Sequence, residues 1–107
     1  MKLQSIQALP GPNIYVARPV LRARIELEDL TERESHELPG LVERLLACLP
    51  ALGEHHCASG APGGFVARLH SGTYFGHIVE HVALQLSHDA GAGANFGRTV
   101  YAGAPGC

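Results

Sequence analysis

His77 and His81 stand four residues apart, with Glu80 beside the second, in the run His77-Ile78-Val79-Glu80-His81. On a helix, positions i and i+4 share a face, so both imidazoles can reach one metal ion. The order H-x-x-E-H is the inverted zinc-protease pattern: two ligands and a carboxylate placed to take a proton from water. Zinc, or another divalent metal, is therefore the expected cofactor. Glu80 is the expected general base.

A catalytic zinc takes three protein ligands and keeps one position open. The other concentration of donor side chains is Glu54-His55-His56-Cys57, after the first long helical pattern. His55 or Glu54 is the favoured third ligand, with His56 close behind. Cys57 also has the right chemistry, but a cysteine in such a place is more often a small buried residue. Arg68 and Arg98 are candidates to hold an oxyanion or a substrate carboxylate, as guanidinium forks do. His88 could line the mouth of the site or cap its helix.

The elements around these residues follow from periodicity. Phe75, Ile78, Val79, Val82, Ala83 and Leu86 form one apolar arc at helical spacing. His77, His81 and His88 fall opposite, with Glu80 at the edge and Leu84 among them. That geometry sets aside a core role for the histidines and leaves an exposed polar face as the bland alternative. Thr73 suits the N-cap of this third helix and Gly91 its C-cap. Leu41, Val42, Leu45, Leu46 and Leu49 make an earlier apolar stripe between Pro39 and Pro50. Pro62-Gly63-Gly64 opens a second, shorter helix with Phe65, Val66 and Leu69 inward, and Gly72 ends it.

Leu3 to Ala8 reads as a strand. Leu21, Ala23, Ile25 and Leu27 alternate with Arg22, Arg24, Glu26 and Glu28, predicting a strand with one buried and one wet face. Thr31 to Glu37 reads as an acidic loop, and Asn95 to Ala102 as a last strand. The order predicts an α+β fold: a small antiparallel or mixed sheet with about three helices packed on one side. The glycine-rich run from Gly91 to Gly97 follows a helix rather than a strand, so it reads as cap and turn, not as a nucleotide loop.

A chain of 107 residues has room for one domain, residues 1–107. Apolar content of 46% with 17% charged residues fits a folded globular protein rather than a disordered one. A net charge of −2 lacks the basic excess that nucleic acid demands. No apolar run approaches the roughly 20 residues of a membrane span. The start, Met1-Lys2-Leu3-Gln4-Ser5, has no secretory core, and three cysteines make a disulfide framework unexpected. A cytoplasmic protein is expected.

Several blocks together resemble the N-terminal domain of cyanophycin synthetase. They are Ser5 to Leu9 with Gly11-Pro12-Asn13, Glu37 to Gly40, Glu54 to Cys57, Pro62 to Phe65, Gly76 to Leu84, and Phe96 to Thr99. Glu54 to Phe65 and Gly76 to Leu84 are the specific part. In that family the domain precedes an ATP-grasp ligase and a Mur-ligase-like module, which together build a polymer of aspartate carrying arginine. The resemblance implies a polymer-binding element. In some members it implies a metal-dependent peptidase site that trims polymer into primers. It carries the ligand roles to His77 and His81, the base role to Glu80, and draws the Glu54–His56 loop into the same site.

Neither ligase module is present in these 107 residues, so synthesis is not expected of them, and the chain reads as a truncated or stand-alone relative. A sheet short of strands favours pairing with a second copy, a homodimer. Two functions of different class follow. One is a zinc peptidase acting on a cyanophycin-like polymer or related peptides. The other is a non-catalytic module whose Arg22, Arg24, Glu26, Glu28, Glu32, Glu34 and Glu37 hold a charged polymer. A structural zinc, with four protein ligands, is a third.

Overall fold

The computed structural model describes residues 1–57, 60–91, 100–101 and 104–105. The chain is α+β and forms two compact units, Met1–Leu30 and Thr31–Cys107.

The first unit is a hairpin. Strand β1, Lys2–Leu9, pairs antiparallel with β2, Val20–Glu26, and the register shifts between Leu3 and Ser5. Asn13 organises the connection. Its side-chain oxygen accepts from the Tyr15 and Val16 amides, and its side-chain nitrogen donates to the carbonyls of Pro10 and Arg18. Asn is suited to this because its short amide can stand in for backbone partners. The second predicted strand forms, but the face expected to be buried is exposed: Leu21 and Ile25 are 76% and 37% exposed. A two-stranded ribbon has two faces and brings no second layer of its own.

The second unit holds the helices: α1, Leu41–Cys48; α2, Gly64–Ser71; and α3, Phe75–Asp89. Short 3₁₀ turns cover Glu28–Glu32, Ser35–Glu37 and Pro50–Glu54, so the expected acidic loop is largely turned structure. A reciprocal cap stabilises the second of these: Glu37 accepts from the Glu34 amide while the Glu34 side chain caps the turn. Pro39 precedes α1 rather than opening it, because Gly40 intervenes at φ 79°, where glycine is favoured. The α1 stripe is half-buried. The core proper is Leu52, Phe65, Leu69, Phe75 and Ile78.

One corner fixes the start of α3. The Ser35 hydroxyl donates to the Leu69 carbonyl and accepts from the Thr73 amide, while the Ser35 amide donates to the Thr73 carbonyl. A bridge between Glu34 and Tyr74 continues the contact. Thr73 is thereby held one residue before the cap position, which Tyr74 occupies. Its hydroxyl serves His77 instead of capping the helix. At the other end Ala90 closes α3 and Gly91 follows at φ 80°, the left-handed residue that the sequence supplies there.

Of the last expected strand, Val100–Tyr101 is β3 and pairs antiparallel with β4, Ala104–Pro105. Residues 95–99 and 102, like most of the glycine-rich run, lie outside the described residues.

Candidate metal centre

The histidine face of α3 is the buried one. His77 is 2% exposed and His81 6%, and Gln85 continues the same row into the interior. On the arc expected to face inward, Phe75 and Ile78 are buried, but Ala83 and Leu86 are exposed. For His77 and His81 the exposed-face alternative is therefore overturned, and so is the expectation that they point away from the core; His88, on the same face, is exposed.

Phe65 of α2 explains the inversion. Its ring stacks on His81 with centroids 3.9 Å apart and meets His77 edge-on at 5.6 Å. His81 presents its ring face to Phe65, and both imidazoles direct nitrogens to one another and to polar partners. A buried polar group is tolerated when its hydrogen bonds are made.

Each ring is held from behind. Thr73 Oγ1 lies 2.9 Å from His77 Nδ1, and His55 Nδ1 lies 2.9 Å from His81 Nδ1. Both Nε2 atoms then point inward, 3.1 Å apart. Cys57 Sγ stands 3.6 Å from His77 Nε2. Among the described residues, Cys57, His77 and His81 form a group whose donor atoms all lie within 4.8 Å of one another.

The Cys57–His77 and His77–His81 separations suit a tetrahedral ion. Ligand bonds of about 2.3 Å to sulfur and 2.05 Å to nitrogen put sulfur and nitrogen about 3.6 Å apart and two nitrogens about 3.3 Å apart. A thiolate with two imidazoles is also a soft set, suited to zinc rather than to magnesium or calcium. Two lone pairs facing each other at 3.1 Å repel unless a proton or a cation lies between them. The Thr73 hydroxyl can rotate to serve either state: it donates to His77 Nδ1 when the Nε2 carries the proton, and accepts when the Nε2 is a lone pair.

Electrostatics agree with neutral rings. Burial first, then the Arg68 guanidinium, holds His77 below the ordinary imidazole value. Burial, then His77 and His55, lowers His81 to about 4. Neutral imidazole is the form that binds metal. Burial also raises the Glu80 carboxyl above its ordinary value.

The other candidates fall around this cluster. His55 is half-buried, bonded to His81 through Nδ1 and to Gln85 through Nε2. Glu54 closes the 3₁₀ turn and is exposed, as are His56, Arg68 and His88. Arg98 lies outside the described residues.

Residues 22–107 match the model of the cyanophycin synthase-like N-terminal domain. The chain belongs to this family. The cyanophycin synthetase of Synechocystis sp. (strain ATCC 27184 / PCC 6803 / Kazusa) is 48% identical over 99% of the chain. Those of Geminocystis herdmanii (strain PCC 6308) and Nostoc sp. (strain PCC 7120 / SAG 25.82 / UTEX 2576) are 44% and 45% identical over the same share. The chain spans 12% of the length of these relatives.

In this cyanophycin synthase-like domain, Thr73, Gln85 and Phe65 surround the histidines without having been singled out for the site from sequence. Gln85 had one usable signal: with His77 and His81 it completes an i, i+4, i+8 row. Phe65 and Thr73 had none, because their roles depend on how α2 meets α3. No helix among the described residues is long and apolar enough to cross a membrane.

Proposed function

We propose that Cys57, His77 and His81 hold a zinc ion in a hydrolytic centre that cleaves peptide bonds, with a cyanophycin-like polymer as substrate. The observation that carries this is a group of one sulfur and two imidazole nitrogens within 4.8 Å of one another, in which the Cys57–His77 and His77–His81 separations suit a tetrahedral ion. Three protein donors is the number a catalytic zinc takes. Cys57 and Glu80 are half-buried, so the cluster is not sealed from substrate.

Bound there, zinc supplies a Lewis acid that polarises a carbonyl and acidifies water. The chain's own groups do the rest. Thr73 and His55 orient the two imidazoles, and such outer partners sustain both geometry and affinity. Glu80, made more basic by burial, takes up a proton and returns it to the leaving amine. Phe65 closes the inner side against water. Arg68 is exposed and near enough to act electrostatically on His77, which suits it to pair with a substrate carboxylate. The relatives' name supports the polymer as substrate class, since they are cyanophycin synthetases.

The test is to measure bound zinc and cleavage of cyanophycin or short peptides before and after Glu80→Gln. Retained zinc with cleavage reduced about 100-fold or more supports the centre. Polymer binding with neither zinc nor cleavage would leave a tethering module in its place. That alternative has fewer free acids than the sequence suggests: Glu28 is held by Lys2 and the N-terminus, and Glu26 by Gln4.

A further inference from the structure

We infer that Gln85 and Asp89 act as positioning residues that lock His81 in one tautomer, with the proton on Nδ1 and the lone pair of Nε2 directed at the Cys57–His77 side. The consequence for zinc rests on the proposed metal centre; the hydrogen-bond logic does not.

The chain of bonds runs inward from the end of α3. Gln85 Nε2 donates to Asp89 Oδ1 at 2.8 Å. An ionised carboxylate only accepts, so the amide must turn its NH₂ to Asp89 and its carbonyl the other way. That carbonyl, Gln85 Oε1, lies 2.8 Å from His55 Nε2. A carbonyl cannot donate, so His55 Nε2 carries the proton. In a neutral imidazole the other nitrogen is then an acceptor. His55 Nδ1 lies 2.9 Å from His81 Nδ1, which must therefore be the N–H donor. The remaining nitrogen, His81 Nε2, is left with its lone pair, 3.1 Å from His77 Nε2. Four groups thus pass one orientation from a surface carboxylate to a buried ring.

Two further features fit a positioning role. Gln85 is 7% exposed, yet both ends of its amide are engaged. Asp89 sits in the last turn of α3, where a negative charge opposes the helix dipole, so helix stability does not account for it.

Nuclear magnetic resonance of the chain labelled with ¹⁵N in histidine tests this, because long-range proton–nitrogen correlations separate the two tautomers. After metal is stripped with a chelator, His81 is expected as the Nδ1–H form. Gln85→Met removes the carbonyl and should shift His81 toward the Nε2–H form. It should also weaken zinc binding by about 10- to 100-fold. Asp89→Ala, at an exposed position, should move the tautomer the same way by a smaller amount, and it serves if the Gln85 variant does not fold. Finding His81 as Nε2–H in the unaltered chain overturns the relay. So does an unchanged tautomer in both variants. If the unaltered chain binds no zinc but shows a Gln85-dependent Nδ1–H, the metal centre fails and the relay stands. If zinc binds equally to the unaltered and Gln85→Met chains and the His81 tautomer is the same in both, the relay fails and the metal centre stands.

Discussion

Glu54 and Cys57 lie in one short segment, and both are donor types, but the chain treats them differently. Cys57 Sγ approaches His77 Nε2 to 3.6 Å, whereas Glu54 is exposed at the end of its turn. Cys57→Ser should therefore weaken zinc by more than the roughly 10- to 100-fold that follows loss of an outer partner. Glu54→Gln should leave affinity within about twofold, as exposed charges usually do. Competition against a chromogenic chelator reads both, and equal losses would remove Cys57 from the proposed ligand set. Much of this site could be read from residue spacing. The i, i+4 pair places two imidazoles on one face, and in the fold they are 3.1 Å apart. What spacing could not show was that this face turns inward. Histidine counts as polar in any periodicity, and its burial depends on partners distant in sequence: Cys57 and His55, 20 and 26 residues before the rings they touch. Those contacts exist only once the Pro50–Glu54 turn and α2 have brought that segment back against α3.

At the level of elements, the junction between α2 and α3 carries the greatest constraint. Gly72 has φ 119°, and a β-carbon there would lie 2.5 Å from His36 Nδ1 and 3.0 Å from Glu34 Oε1. Gly40 also has positive φ, at 79°, but open space around it. Alanine at Gly40 should cost about 1 kcal/mol, the backbone term alone. Alanine at Gly72 should cost about 2–3 kcal/mol, because strain of this kind is joined by a clash with His36. Urea unfolding of the two variants measures the difference, and equal costs would mean that the His36 ring simply moves aside. The helices were legible because glycine and proline punctuate them: Pro39-Gly40, Pro50, Gly63 and Gly72 each stand at or beside a boundary. Thr73 has the chemistry of a cap but does not act as one. Its hydroxyl can satisfy either a helix amide or the imidazole one turn on, and only packing at Ser35 decides between them. Strand alternation was equally visible in β2, yet alternation says that two faces differ, not that anything covers the apolar one.

For the whole molecule, burying neutral imidazoles couples stability to pH. His81 falls from 6.5 to about 4 on folding, so between those values the unfolded chain binds more protons than the folded one. Stability is then complete above about pH 6.5 and is lost as pH falls toward 4, by up to about 3 kcal/mol from this ring. His77 shifts in the same direction and adds to the loss. Glu80 works the other way. Its raised value means that the folded chain holds that proton more tightly, which offsets part of the loss in the same acidic range. His81 should dominate, because it is the more deeply buried of the two and stacked on Phe65. A loss of this size is a large share of the roughly 5–15 kcal/mol available to a small folded chain. Urea midpoints of the metal-free chain measured from pH 7.5 to 4.5 should fall steadily, and His81→Gln should flatten the curve. A flat profile in the unaltered chain would mean that water reaches the ring and that its burial is not sustained in solution. Saturating zinc should raise the midpoints most near neutral pH, because ligand binding stabilises only the folded state, and the gain should fade as protons compete for the same nitrogens.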